Sequence, residues 1–178
     1  MTVENTRLQQ DRYELTNLRE LYQLDAQYDD YNKIGARIIA RDSGNWFYSF
    51  VINKGTDDGI AVDMNIIAGG GLVGRVVDAG ANWAKVKAII ADDSNVSAMV
   101  LSSSDNLIVS GNLKLYASGV IEFEQLVDSG DVVVEGDKIV TSNISDKYLP
   151  GILIGYINTI NRDSNNLTKS GYITPAVD

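Results

Sequence analysis

The chain has 178 residues, of which 44% are hydrophobic and 22% charged, enough apolar material for one large domain or two small ones. Fifteen Lys and Arg against 24 Asp and Glu leave a formal charge of −9, the wrong sign for binding a nucleic-acid backbone. There is no Cys and no His, which excludes disulfides, thiolate or His-ligated metal sites, Cys nucleophiles, a Ser-His-Asp triad and most acid–base catalysis near neutral pH. No run of about 18 apolar residues reads as a membrane span, and no basic segment followed by an apolar stretch reads as a signal peptide. As written, the chain is expected to be soluble.

From Glu4 to about Tyr31 there is neither Gly nor Pro, and Leu, Gln, Glu and Arg dominate, which predicts a helix. Leu8, Leu15, Leu18 and Tyr22 follow at spacings of 7, 3 and 4, an a/d stripe. Leu21, Leu24, Tyr28 and Tyr31 form a second stripe, and the passage between the two resembles a heptad interruption. At 1.5 Å per residue such a helix reaches roughly 40 Å, longer than a small domain is wide, so its apolar edge needs a partner. The expectation is a short parallel coiled coil with a second copy, its interface at Leu8, Leu15, Leu18 and Tyr22. Each large side chain buried there contributes about 1.5–3 kcal/mol. The competing arrangement lays the helix flat on its own domain.

Beyond Ile34 the apolar period changes to two, or to short runs. Strands are predicted at Ile38–Ala40, Phe47–Ile52, Met64–Ala68, Leu72–Val77, Lys85–Ile90, Val96–Leu101, Leu107–Ser110, Gly119–Phe123, Lys138–Thr141, Ile152–Ile160 and Gly171–Thr174. Turn signals separate them, among them Asp42-Ser43-Gly44-Asn45, Asp57-Asp58-Gly59, Ser129-Gly130 and Pro150-Gly151. With no further helical period, the reading is mainly β: a long N-terminal helix followed by two small antiparallel barrels of about six strands each. The expected divisions are 1–33 for the dimerisation helix, 34–95 for the first barrel and 96–178 for the second, with strand exchange between barrels left open. An internal echo supports two related units. Gly59 to Met64 leads to Gly71-Leu72-Val73-Gly74-Arg75-Val76, and Gly136 to Val140 leads to Gly151-Ile152-Leu153-Ile154-Gly155. A glycine within a strand marks a bulge or a barrel corner.

Several segments imitate chemical motifs. Gly69-Gly70-Gly71-Leu72-Val73-Gly74 contains G-x-G-x-x-G, but that fingerprint needs a following helix to hold a pyrophosphate; a bulged hairpin fits better. Ser104-Asp105-Asn106 and Lys169-Ser170-Gly171 are two motifs of penicillin-recognising enzymes, yet no Ser has a Lys three residues on, so both read as polar turns. Asp57-Asp58 and Asp92-Asp93 lack the frame of a calcium loop and read as solvated turn carboxylates. Trp46 and Trp83 are either barrel-end plugs or platforms for a sugar ring. No catalytic, cofactor-binding or metal-ligating residue is expected.

The order of signals resembles a known family. The stripe helix with Glu4-Asn5-Thr6-Arg7-Leu8 is followed by Ile38-Ile39-Ala40-Arg41-Asp42, Asn45-Trp46, Ile52-Asn53-Lys54-Gly55 and Asp58-Gly59-Ile60 with Met64. Then come Gly71-Leu72-Val73-Gly74-Arg75-Val76, Gly136-Asp137-Lys138-Ile139-Val140-Thr141-Ser142, Pro150-Gly151-Ile152-Leu153-Ile154-Gly155 and Pro175-Ala176. Across practically the whole chain this resembles the extracytoplasmic part of the rod shape-determining MreC family. The resemblance implies a non-enzymatic scaffold anchored by a transmembrane helix that lies outside this sequence, on the outer face of the bacterial cytoplasmic membrane. It implies dimerisation through the helix, further assembly, and two barrels similar in outline to trypsin-like proteases without their catalytic residues. The implied partners are a second copy, a penicillin-binding transpeptidase, the membrane protein MreD and, across the membrane, MreB filaments; nucleic acid is not among them. Asn143 stands where members often carry Gly, a mild change because Asn tolerates left-handed backbone angles. Two other classes compete: a cell-wall carbohydrate-binding β module using Trp46 or Trp83, and a β-rich hydrolase using acidic residues.

Overall fold

The computed structural model describes residues 2–42 and 48–177, and of residues 2 and 20–25 the backbone alone. Helix α1 spans Thr2–Gln27. It ends before the second predicted stripe is complete: Tyr31 N–H donates to the Tyr28 carbonyl in a turn, and the Lys33 ammonium reaches the carbonyls of Tyr28 and Tyr31. A cation on the last carbonyls is a common way to finish a helix.

Among the described residues eleven strands follow, each overlapping a predicted one. The first five are β1 (Ile38–Asp42), β2 (Ser49–Ile52), β3 (Asn65–Ala68), β4 (Gly71–Ala79) and β5 (Ala84–Ala88). They form one antiparallel sheet in the order β1-β2-β5-β4-β3. The other six are β6 (Asn95–Val100), β7 (Asn106–Ser110), β8 (Ile121–Leu126), β9 (Lys138–Thr141), β10 (Leu153–Arg162) and β11 (Lys169–Pro175). They close an antiparallel barrel in the order β10-β11-β8-β7-β6-β9. A one-turn helix α2 (Leu113–Tyr116), capped by Asn112, lies between β7 and β8 and was not expected. The mainly-β class with a leading helix and a six-stranded barrel holds, but the first unit is a five-stranded sheet rather than a second closed barrel. Beside its β3 edge stands the barrel, not β1: the Asn65 amide donates to the Lys147 carbonyl at 2.9 Å and accepts from Leu149 N–H at 2.7 Å.

The internal echo maps only in part onto two antiparallel pairs, β3–β4 and β9–β10, because Gly59 to Met64 is the loop before β3. Gly69-Gly70 forms the two-residue turn of the first, both with positive φ (54° and 86°), the signature of a type I′ hairpin. Gly74 and Gly155 sit where a Cβ would strike a neighbouring strand's carbonyl, Lys87 and Thr174 respectively. Both strands are bulged, β4 between Val76 and Asp78 and β10 between Leu153 and Gly155. The G-x-G-x-x-G segment is therefore hairpin architecture.

The barrel core is built on Phe123, Ile121, Leu126, Ile139, Ile154 and Ile173, all without measurable exposure. It does not stop at the barrel wall. Leu72 of β4, Ala88 of β5 and the following Ile89 and Ile90 belong to the same buried cluster. A smaller cluster of Phe50, Ile52, Ile60, Val76, Ala84 and Val86 serves the sheet alone. Thr141 and Ser142, part of the family-like segment, are fully buried. The Thr141 hydroxyl donates to the Leu149 carbonyl (2.5 Å) and accepts from Ile152 N–H (2.8 Å), closing the 142–151 loop at its base. Asn143 keeps a negative φ, so the left-handed tolerance expected of it is not used.

Candidate interaction surface at the helix and its root

Helix α1 carries its leucine stripe in the open. Leu8 is 55% exposed, Leu15 49% and Leu18 63%, and Val3 and Tyr13 are exposed as well. Such a row of large apolar side chains, left in water, is what an interaction surface looks like on a free element. Tyr22 lies in the same helix, but its side chain is outside the described residues. The flat-lying alternative does not describe residues 3–19, which are all exposed except the half-buried Asn17.

The root of the helix is fixed. Tyr28 is only 6% exposed and joins the barrel's buried cluster. Its hydroxyl donates to the Gly70 carbonyl at 2.7 Å in the β3–β4 turn and accepts from Leu153 N–H at 3.1 Å at the start of β10. Burial pushes the Tyr28 phenol above its ordinary pKa against the opposing hydrogen bond from Leu153, so it remains a donor at physiological pH. One turn on, the Tyr31 hydroxyl donates to the Pro150 carbonyl at 2.7 Å. Helix, sheet and barrel thus meet at two phenols that the sequence reading had assigned to a second coiled-coil stripe. Nothing in local spacing marks this role, because the partners lie 42, 119 and 125 residues away.

The other motif-like segments have structural duties. Trp83 lies in the β4–β5 turn, 38% exposed, with its indole occupying the space where a side chain on Gly80 would point. Trp46 and the Ser43-Gly44-Asn45 turn fall outside the described residues. The Asp58 carboxylate accepts from Gly55 N–H (3.1 Å) and from Lys54 (3.2 Å), which lowers its pKa in that order of cause. Asp92 accepts from Leu113 N–H at 2.8 Å, and Asp93 pairs with Lys87. Ser104-Asp105 ends the β6–β7 turn and Asn106 opens β7, whereas Lys169-Ser170-Gly171 opens strand β11 and is not a turn. Lys169 bonds Asp128 (2.7 Å) and Asp131 (2.5 Å), and Ser170 donates to Asp163 at 2.6 Å. Among the described residues no group of three or more acidic side chains is placed to hold a metal ion, and no helix is long and apolar enough to cross a membrane.

At the edge of the sheet, all five residues of β1 are exposed, including Ile38 and Ile39. A bulge between Ile38 and Ala40 interrupts its ladder, a recognised way to discourage strand addition.

Comparison with known proteins agrees with this architecture. Residues 38–178 match the family model described as rod shape-determining protein MreC, barrel core. The cell shape-determining protein MreC of Listeria monocytogenes is 31% identical over 166 residues, covering 91% of this chain and 55% of that protein. The chain spans about half the length of the curated relatives it matches. A solved MreC structure from Listeria superposes with a TM-score of 0.76 at 29% identity, covering 99% of this chain and 86% of the other. A complex between penicillin-binding protein PBP2 and MreC from Helicobacter pylori superposes with a TM-score of 0.60 at 15% identity, covering 78% and 83%, and shares the fold. A match that runs from β1 to the C-terminal strand, behind an exposed leucine-striped helix, places this chain in the MreC family of cell shape-determining proteins.

Proposed function

We propose that this chain is a non-enzymatic, extracytoplasmic scaffold that dimerises through α1 and positions peptidoglycan-synthesis proteins during cell elongation. The observation that carries the reading is the exposed stripe of Leu8, Leu15 and Leu18 on a helix whose root is locked to both β units. A helix free at its apolar face and fixed at its base sets the orientation of what it carries, once a second copy covers the stripe. The proposed units are residues 1–33, 34–95 and 96–178, acting as helix, first β unit and second β unit. The proposed partners are a second copy, a transpeptidase of the penicillin-binding class, MreD and, through a membrane-anchored N-terminal extension, MreB. The Helicobacter pylori complex of PBP2 with MreC supports the transpeptidase.

Sedimentation of the intact chain, of a chain beginning at Asn32, and of a Leu8→Ser, Leu15→Ser, Leu18→Ser variant tests the dimer. The intact chain is expected to move from monomer to dimer with concentration, and the other two to stay monomeric. Three monomers at the highest concentration, or three dimers, would remove α1 as the interface.

A further inference from the structure

On the outer side of the sheet–barrel junction lies a polar cleft of about 190 Å³, lined by Arg75, Lys87, Asp93, Ser94, Asn95, Lys147 and Tyr148. We infer that it is a binding site for a phosphate group, carried either by a small phosphorylated molecule or by a phospholipid headgroup. In a chain of net charge −9, three cations converge here against one lining carboxylate. Arg75 and Lys87 are register partners on the adjacent strands β4 and β5, and Lys147 adds the third cation from the 142–151 loop, so sheet and loop both contribute to the lining.

The groups are already in position. Arg75 is held by Asp63 at 2.5 Å, and Lys87 by Asp93. Tyr148 is buried, and its hydroxyl engages Ser94 and Arg75. The loop bearing Lys147 and Tyr148 is pinned on both sides by the Asn65 amide, at the Lys147 carbonyl and the Leu149 N–H. Asn95 uses its carbonyl oxygen to accept from Ser110 (3.0 Å), which leaves its NH₂ as a donor. The inventory is therefore rich in donors and cations, the complement of phosphate oxygens, and its volume is several times the roughly 30 Å³ share of one water. Asp63 and Asp93 pair with Arg75 and Lys87 and hold them in place, and Lys147 adds a third cation toward a phosphodiester. The negative charge elsewhere on the chain is screened beyond about 8 Å at physiological salt.

The test is a titration of the full chain, followed by backbone amide NMR at constant ionic strength. One arm uses inorganic phosphate, and the other uses vesicles of phosphatidylglycerol against vesicles of phosphatidylcholine. Saturable shifts centred on Ser94, Asn95 and Tyr148 with inorganic phosphate support the site and a soluble ligand. Binding to phosphatidylglycerol vesicles alone, with those same signals affected, supports the site and a headgroup. In either arm Lys147→Glu, at an exposed side chain, and Asn95→Asp, which keeps the acceptor for Ser110, are expected to weaken binding at least about tenfold. Lys85→Glu, an equal change of charge on β5 outside the cleft, is expected to leave it unaltered. No saturable response in either arm, or equal weakening by all three variants, would overturn the site.

Discussion

The Tyr28 hydroxyl spends its donor on one β unit and accepts from the other. Replacing it with hydrogen strands a carbonyl and an N–H in a covered position, a loss of about 1–3 kcal/mol. Tyr28→Phe is therefore expected to lower the unfolding free energy, read from urea denaturation, by that amount while leaving packing intact. Tyr31→Phe is the matched control: its bond to the Pro150 carbonyl is exposed, where water replaces the lost partner, and its effect is expected to stay within about 0.5 kcal/mol. Equal effects of the two substitutions would contradict the buried bridge.

Among the elements, the loop between β8 and β9 is ordered by carboxylates, Asp137 at Val134 N–H and, more extensively, Asp128. The Asp128 side chain has no exposed surface and accepts from Val132 N–H, Val133 N–H and Lys169. Burial alone pushes Asp128 up, but these hydrogen bonds outweigh it and hold the group below its ordinary 3.8; the same bonds from Asp128 and Asp131 raise Lys169 above 10.5. A lowered carboxylate stabilises the fold above its unfolded pKa and loses that contribution as pH falls through the folded value. A raised lysine stabilises below its unfolded pKa and loses the contribution as pH climbs through the folded value. The cluster thus contributes fully from about pH 4 to pH 10. Asp128→Asn is expected to be less stable than the parent at neutral pH, with the difference shrinking below about pH 3. Urea midpoints measured across pH check this, and a difference that persists in acid would refute it.

The strands were legible because apolar side chains alternate between turn residues, and that signal is local. Helix α2 was not, since four residues hold barely one turn and no period. The end of α1 was misplaced because Tyr28 and Tyr31 continue a heptad spacing, although a phenol needs a polar partner that a leucine does not. The open sheet was hidden for a related reason: what stands beside β3 is the Asn65 amide bonded to a loop 82 residues further on. The spacing of Leu8, Leu15 and Leu18 could be read as a stripe from the sequence, and the structure shows these residues exposed, whereas the helix root could not be read, because every one of its contacts is long-range.

At the scale of the whole molecule, Leu72, Ala88, Ile89 and Ile90 leave the sheet to join the barrel core. The two units are therefore expected to unfold together. Both tryptophans precede residue 95, so their fluorescence reports the first unit, while far-ultraviolet circular dichroism reports both. Leu72→Ala is expected to cost about 2–5 kcal/mol and to shift the two signals in step; midpoints that separate would show independent units. The joint at Tyr28 carries a mechanical corollary. From residue 2 to residue 34 the backbone has no Gly or Pro hinge, and the last turn of α1 runs straight into that joint. A force on the distal tip would arrive at the double-β body as torque rather than slack, so α1 is expected to act as a mast, not a string.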